Sequence, residues 1–231
     1  MQNPVSENIE IVRRKIADAA RRAGRKPEEI TLVAVSKTVS PELIRAAREA
    51  GLTDFGENRI QEAEAKIKAL GAGPGIRWHF IGHLQTNKAG AAIGAGFELI
   101  HTIDSVKLLD VLDAQAQKQG KSQRALIEVK LSAEPSKHGV PEEGLFELLR
   151  ASERAAHIRI EGLMGMPPYF PEAERARPFF ARLRALREKA EKEGFGLAHL
   201  SMGMTHDFEI AIEEGATLVR VGTAIFGGRA K

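Results

Sequence analysis

Lys37 follows an unbroken apolar run, Leu32, Val33, Ala34 and Val35, in the stretch "LVAVSKTVSP". Such a run reads as a strand covered on both faces, and a lysine held at its end is a rigidly placed amine able to attack an aldehyde. Most lysines are simply solvated, so its neighbours decide. Polar and reactive side chains recur after the other apolar runs: Glu57 and Asn58 in "FGENR", His83, Gln85, Asn87 and Lys88 in "HFIGHLQTNK", then His101, Asp104 and Lys130. Two later segments, "LSMGMTHD" and "VRVGTAIFGG", have the makings of an anion cradle. Gly222 would let backbone N–H groups approach an anion and Thr223 adds a hydroxyl, with Ser201 and Gly203 as a similar pair. Glycine turns after strands are ordinary, so spacing alone leaves a purely structural role open.

The elements that must position these residues alternate along the chain. Pro4 suits a first helical position with Asn3 as its cap, and Val5, Ile9, Val12 and Ile16 give one apolar face to a helix ending near Gly24. Eight short apolar runs follow: "TLVAVS", "DFGE", "RWHFI", "ELIHT", "ALIEV", "IRIEGLM", "LAHLS" and "TLVRVG". Helical patterns such as "SPELIRAAREAG" and "SVKLLDVLDAQAQKQG" separate them. The longest, "PEAERARPFFARLRALREKAEKEG", is expected to be interrupted at Pro178 and stopped at Gly194. "AGAAIGAGFE" reads as a short, poorly formed helix and "LGAGPGIRW" as a surface loop. A βα alternation of this count and length predicts a single-domain (β/α)8 TIM barrel over residues 1–231, residues 1–24 being a helix that precedes strand 1. An open doubly wound sheet is the alternative. In the barrel, chemistry gathers at the C-terminal ends of the strands, often with a phosphate site after strands seven and eight. A lysine, an aldehyde and a phosphate together suggest pyridoxal phosphate. A Schiff-base aldolase acting on a sugar phosphate would use the same trio without a cofactor.

Composition narrows the class. The 231 residues are 43% hydrophobic, enough for a sizeable core, and 34 basic residues against 31 acidic leave a net charge of only +3. That excess is too small, and too interspersed, to argue for nucleic acid. There is no cysteine, hence no disulfide framework and no thiolate metal site, which suits a cytoplasmic home. No stretch approaches the roughly 18 apolar residues of a membrane span, and "MQNPVSENIEIVRR" lacks the apolar core of a secretory leader. Among seven histidines only His79 and His83 have a ligand-like spacing. A strand turning into a loop does not hold that spacing on one face, so no metal is expected. Trp78 reads as core, Phe179 and Phe180 as packing with Leu183 and Leu186, and Tyr169 in "MPPYFP" as an apolar loop plug.

The motifs "AVSKT", "DFGENRIQE", "WHFIGHLQTNK", "IEGLMGM", "LSMGM" and "VRVGTAIFG", in this order from Ile30 to Gly227, closely resemble the pyridoxal phosphate homeostasis protein family. The resemblance implies a fold similar to the N-terminal barrel of alanine racemase, the fold-type III class of pyridoxal phosphate proteins, with Lys37 as the internal aldimine lysine. It further implies that Ser201, Gly222 and Thr223 hold the phosphate, that Arg220 faces the pyridine nitrogen, and that Asn58, His83 and Met202 line the cofactor. Lys130 stands in "EVKLSAEPSKHG" where the family usually has an asparagine, and Thr205 replaces a serine while keeping the hydroxyl.

The resulting expectation is a monomeric carrier or regulator in vitamin B6 and amino-acid homeostasis. It would hold pyridoxal 5′-phosphate on Lys37 and meet small amines, amino acids and pyridoxal phosphate-dependent apoenzymes. An arginine at the ring nitrogen makes the ring a poorer electron sink, and the chain ends directly after strand eight, without the second domain that gives a racemase its second base. A racemase- or decarboxylase-type enzyme is the second hypothesis, the cofactor-free aldolase the third.

Overall fold

The computed structural model describes residues 4–70, 75–132, 134 and 138–228. Asn3, residues 71–74 of the "LGAGPGIRW" loop and the Ser136–Lys137 pair of the fifth-strand loop lie outside them. Eight parallel strands close on themselves in chain order: β1 (Thr31–Val35), β2 (Asp54–Glu57), β3 (Arg77–Phe80), β4 (Leu99–Ile103), β5 (Gln123–Val129), β6 (Ile158–Gly165), β7 (His199–Met204) and β8 (Leu218–Val221). The closed barrel, not the open sheet, is therefore the architecture. Around it run α1 (Pro4–Arg22), α2 (Pro41–Glu49), α3 (Ile60–Leu70), α4 (Ala89–Ala95), α5 (Val106–Lys118), α6 (Leu145–Ser152), α7 (Arg177–Lys192), α8 (Phe208–Glu213) and α9 (Thr223–Phe226).

Helix α9 is a single turn, too short to cover the seam where β8 meets β1. Helix α1 supplies the missing cover by packing against α8, α9 and α2. Its buried face is Val5, Ile9, Val12, Ile16, Ala19 and Ala20, the period-3.6 stripe read from the sequence. Asn8 Nδ2 donates to Ile225 O at 3.0 Å, tying α1 to α9 and thus to the turn that starts at Gly222. Pro178 does not interrupt a helix: residues 173–176 form a 3-10 turn and Pro178 falls in the first turn of α7, where its missing N–H costs nothing. Tyr169 is not a plug. It is 78% exposed, with its ring 5.6 Å from that of His206.

Two apolar layers are distinct. The large one fills the space between barrel and helices. The small one, inside the barrel, is Val33, Leu99, Leu126, Met164 and Leu218. The strand registers pair Gly56 with His79, His79 with Leu99, Met164 with Ser201, Ser201 with Leu218 and Val33 with Arg220, so all of these share the inner face. An interior of this type is usually filled by branched apolar side chains. Here part of it is given to polar groups.

Candidate functional site

Closure of the barrel decides where Lys37 lies. In the β1–β8 ladder Ala34 is the partner of Val221, which brings the residues after both strands to one place. Lys37, Thr38, Gly222 and Thr223 line a single cleft of about 700 Å³, together with Val39 and Phe226. A side chain at Gly222 would press on Val35, its Cβ 3.3 Å from the valine Cβ, so glycine lets the β8 turn sit against β1. Thr205 Oγ1 accepts from Gly222 N at 3.4 Å and from Thr223 Oγ1 at 3.2 Å. Two hydroxyls and the first amides of α9, which have no partner within the helix, converge there.

The turn carrying Thr205 is pinned from both sides. Asp207 Oδ1 accepts from Met204 N at 2.7 Å, and Asp207 N donates back to Met204 O at 3.1 Å. Burial pushes the Asp207 carboxyl up from its ordinary value, opposed by that amide bond and by the Arg220 charge. Gly203 has φ +90°, and a Cβ there would come within 2.5 Å of Ala211 Cβ, so the strand-to-turn transition demands glycine.

Beneath Lys37 is a buried polar strut that the sequence reading did not find. Lys66, on α3, donates to Ser36 O at 2.6 Å, Glu57 Oε1 at 2.8 Å and Glu62 Oε1 at 2.6 Å. Ser36 Oγ also donates to Glu57 Oε1 at 2.6 Å, and Thr38 N donates to Glu62 Oε1 at 2.5 Å. The backbone on both sides of Lys37 is thereby fixed. Thr38 needs it: its φ of +62° is unfavourable for a β-branched residue. Burial raises the Glu57 carboxyl above its ordinary value, against the pull of Lys66 and Ser36. Glu62 also meets a burial penalty, but the bonds from Lys66 and the Thr38 amide outweigh it and hold it low.

Arg220 lies inside the barrel, 3% exposed. It donates to Ser201 Oγ at 2.5 Å and to Gly165 O at 3.3 Å. Burial pushes its guanidinium down to about 10, with Glu128 and Asp207 opposing, and it remains charged at neutral pH. Ser201 begins a chain across the interior: His101 Nδ1 at 2.8 Å from Ser201 Oγ, His79 Nδ1 at 3.0 Å from His101 Nε2, and Asp54 Oδ1 at 3.0 Å from His79 Nε2. Its ends are chemically fixed. Arg220 only donates, and the Asp54 carboxylate only accepts, so His79 carries its proton at Nε2. Burial opposes Asp54 ionisation, but bonds from His79, Arg77 and Thr53 hold its carboxyl well below the usual range. Burial, then the neighbouring His79 and Arg220, push the His101 imidazole well below its ordinary value. With one N–H, it donates on one side and accepts on the other, giving the chain a direction at any moment.

Two expected site residues have their side chains engaged elsewhere. The sequence reading ended strand seven at Ser201; β7 runs on to Met204. Ser201 is consequently mid-strand, with its hydroxyl committed to Arg220 and His101, and the seventh-strand hydroxyl that meets Gly222 and Thr223 is that of Thr205. Met202, one residue on, buries its side chain in the layer under the helices. Asn58 follows β2 and lines a small cleft with Phe80, His83, Gln85 and Lys88. His83 is exposed, its ring stacked on His138 with centroids 3.7 Å apart and its Nδ1 3.5 Å from Asp104 Oδ2. The expectation of no metal group rested on spacing within single segments, whereas His83, Asp104 and His138 come from three. Lys130 is placed by backbone, its N–H donating to Val140 O at 2.9 Å. Among the described residues, no helix is long and apolar enough to cross a membrane.

Comparison with known proteins agrees with this geometry. A family model described as alanine racemase, N-terminal domain, matches residues 8–230. The pyridoxal phosphate homeostasis protein of Aquifex aeolicus is 45% identical over 224 residues, covering 96% of this chain and 97% of the relative. That of Escherichia coli K12 is 42% identical over 232 residues, covering 98% and 97%. The structure of PipY from Synechococcus elongatus PCC7942 with PLP bound is 34% identical with a TM-score of 0.84, over 96% of this chain and all of that one. Alanine racemase of Clostridium difficile 630, at 13% identity and a TM-score of 0.76, covers 97% of this chain and 58% of its own, and shares the fold. The chain belongs to the alanine racemase N-terminal domain family and, within it, to the pyridoxal phosphate homeostasis proteins.

Proposed function

We propose that this chain binds pyridoxal 5′-phosphate, attached reversibly through Lys37, and acts in vitamin B6 and amino-acid homeostasis as a carrier or regulator. The observation that carries the reading is the barrel closure, which puts the Lys37 amine and the Gly222–Thr223 turn on one cleft. The names of the relatives and the PLP-bound PipY structure support it. The residues fit the group: a lysine with its backbone fixed, a turn open to close approach because residue 222 has no Cβ, and hydroxyls from Thr205 and Thr223 beside amides suited to a phosphate. When bound, the cofactor supplies an electrophilic aldehyde that primary amines can reach.

The protein's own groups do the rest. Lys37 provides the amine, and the Lys66–Glu57–Glu62 strut holds its turn. Gly222, Thr223 and Thr205 bind the phosphate, and Met202, expected beside the cofactor, contributes through its backbone. Arg220, aligned by Ser201 and the histidine chain, presents a donor-only group to the ring nitrogen, which disfavours carbanion chemistry and supports a carrier. Asn58 and His83, after β2 and β3, line a separate small cleft and would meet the cofactor from that side of the barrel mouth. In this reading the chain works as a cytoplasmic monomer, takes small amines and amino acids, and exchanges cofactor with pyridoxal phosphate-dependent apoenzymes.

Thr223→Val tests the phosphate assignment. A hydrogen bond to a charged group is worth about 1.5–3 kcal/mol, so the variant should bind pyridoxal 5′-phosphate roughly tenfold or more weakly, while affinity for unphosphorylated pyridoxal hardly changes. Equal losses for the two ligands would put the phosphate elsewhere.

A further inference from the structure

His83, Asp104 and His138 come from different loops of the barrel mouth, after β3, after β4 and after β5, yet their ligand atoms all lie within 4.8 Å of one another. We propose that they form a binding site for one divalent transition-metal ion of the zinc, nickel or copper class. The inference does not require the cofactor reading, although the two share His83.

The donor set selects the metal. Two imidazole nitrogens and one carboxylate oxygen suit borderline ions, whereas magnesium and calcium prefer sites made of oxygen alone. Three protein ligands leave at least one position for water or for an outside amine or carboxylate. Zinc–nitrogen bonds of about 2.0–2.1 Å hold tetrahedral ligand atoms roughly 3.3 Å apart. His83 Nδ1 and Asp104 Oδ2, at 3.5 Å, already approach that separation. His83 and His138 are both exposed, so rotation of their rings can close the remaining gap without moving the core.

His83 and Asp104 are held by bonds to or beside them, and His138 is two residues from a fixed anchor. Thr102 Oγ1 donates to Gly82 O at 2.6 Å, pinning the residue before His83. Ser105 Oγ donates to Asp104 Oδ1 at 3.1 Å, leaving Oδ2 toward His83, and itself caps α5 by accepting from Leu108 N. This is the outer-shell support that metal-ligating carboxylates ordinarily have. Val140, two residues beyond His138, is locked beside β5 by Lys130 N to Val140 O at 2.9 Å and Val140 N to Glu128 O at 2.8 Å. The two imidazoles are stacked, 9° from parallel with centroids 3.7 Å apart, so both rings are already side by side before any ion binds.

The test is calorimetric titration of the untagged, chelator-treated full chain with zinc or nickel, joined by electron paramagnetic resonance with copper. One ion per chain is expected, with coupling to two imidazole nitrogens in the copper spectrum. His138→Gln and Asp104→Asn should each weaken binding at least tenfold, and His206→Gln, an exposed histidine elsewhere, should not. His138 is exposed, so its variant tests ligation without disturbing the core. Absence of stoichiometric binding, or binding unchanged in His138→Gln, would overturn the proposal, as would magnesium binding as tightly as zinc.

Discussion

Lys66→Met removes the amine that holds the Lys37 turn, and its cost can be worked from the contacts. The Lys66 side chain is 7% exposed and that of Glu57 0%, and the amine makes three hydrogen bonds, two of them to carboxylates. At about 1.5–3 kcal/mol for each bond to a charged group, a plain sum exceeds the real loss, because methionine refills most of the space and Glu57 can escape its uncompensated charge by taking a proton. Breaking one side of a buried pair costs about 3–5 kcal/mol, and that is the loss expected at pH 7. The pH dependence makes the test specific. The Glu57 carboxyl is already raised above its ordinary 4.5 in the folded state, so its contribution is fully present below that value and is lost as pH rises through the folded one. Without Lys66 the rise is larger, and the gap between wild type and variant should widen between pH 5 and pH 8. Urea unfolding at a series of pH values measures it. A loss under ~1 kcal/mol, or a gap that does not change with pH, would refute the strut as a buried charged support.

Two further outcomes follow from the interior chain. Burial, then His79 and Arg220, lower His101 well below its ordinary 6.5, so its contribution is fully present above that pH and is lost as pH falls, at up to about 1.4 kcal/mol per unit; His101→Gln should flatten the fall in urea midpoint between pH 7 and pH 5, and an unchanged slope would count against the assignment. If Arg220 faces the ring nitrogen as proposed, cofactor-loaded protein in deuterated water should exchange the α-hydrogen of alanine far more slowly than the ~10 per second of a median enzyme, and mass spectrometry showing turnover near that rate would contradict the carrier reading.

Much of the fold can be read directly because its signals are local. Seven of the eight strands fall within a few residues of their apolar runs, and α1 buries the face that its spacing defines. The seventh strand shows the limit: "LAHLS" looks complete, but "MGM" continues it because Gly203, at φ +90°, lets the chain turn over α8 only after Met204. That extension separates the roles of Ser201 and Thr205. Lys37, Gly222 and Thr223 were legible from residue type and strand position, and only their meeting required closure of the barrel. The Lys66 strut, the histidine chain and the His83–Asp104–His138 group escaped because each joins residues from separate elements, and a lysine in the middle of an amphipathic helix gives no local sign that it is buried.

The central claim, that Lys37 is the attachment point, is tested most directly by borohydride reduction of the purified protein incubated with pyridoxal 5′-phosphate, followed by peptide mapping. The account predicts a yellow protein absorbing in the near-violet whose colour is discharged on reduction, with the phosphopyridoxyl mass on the peptide containing Lys37 and nowhere else in stoichiometric amount. A colourless protein that takes up no cofactor, or a label placed on Lys130 or Lys66 instead, would contradict it.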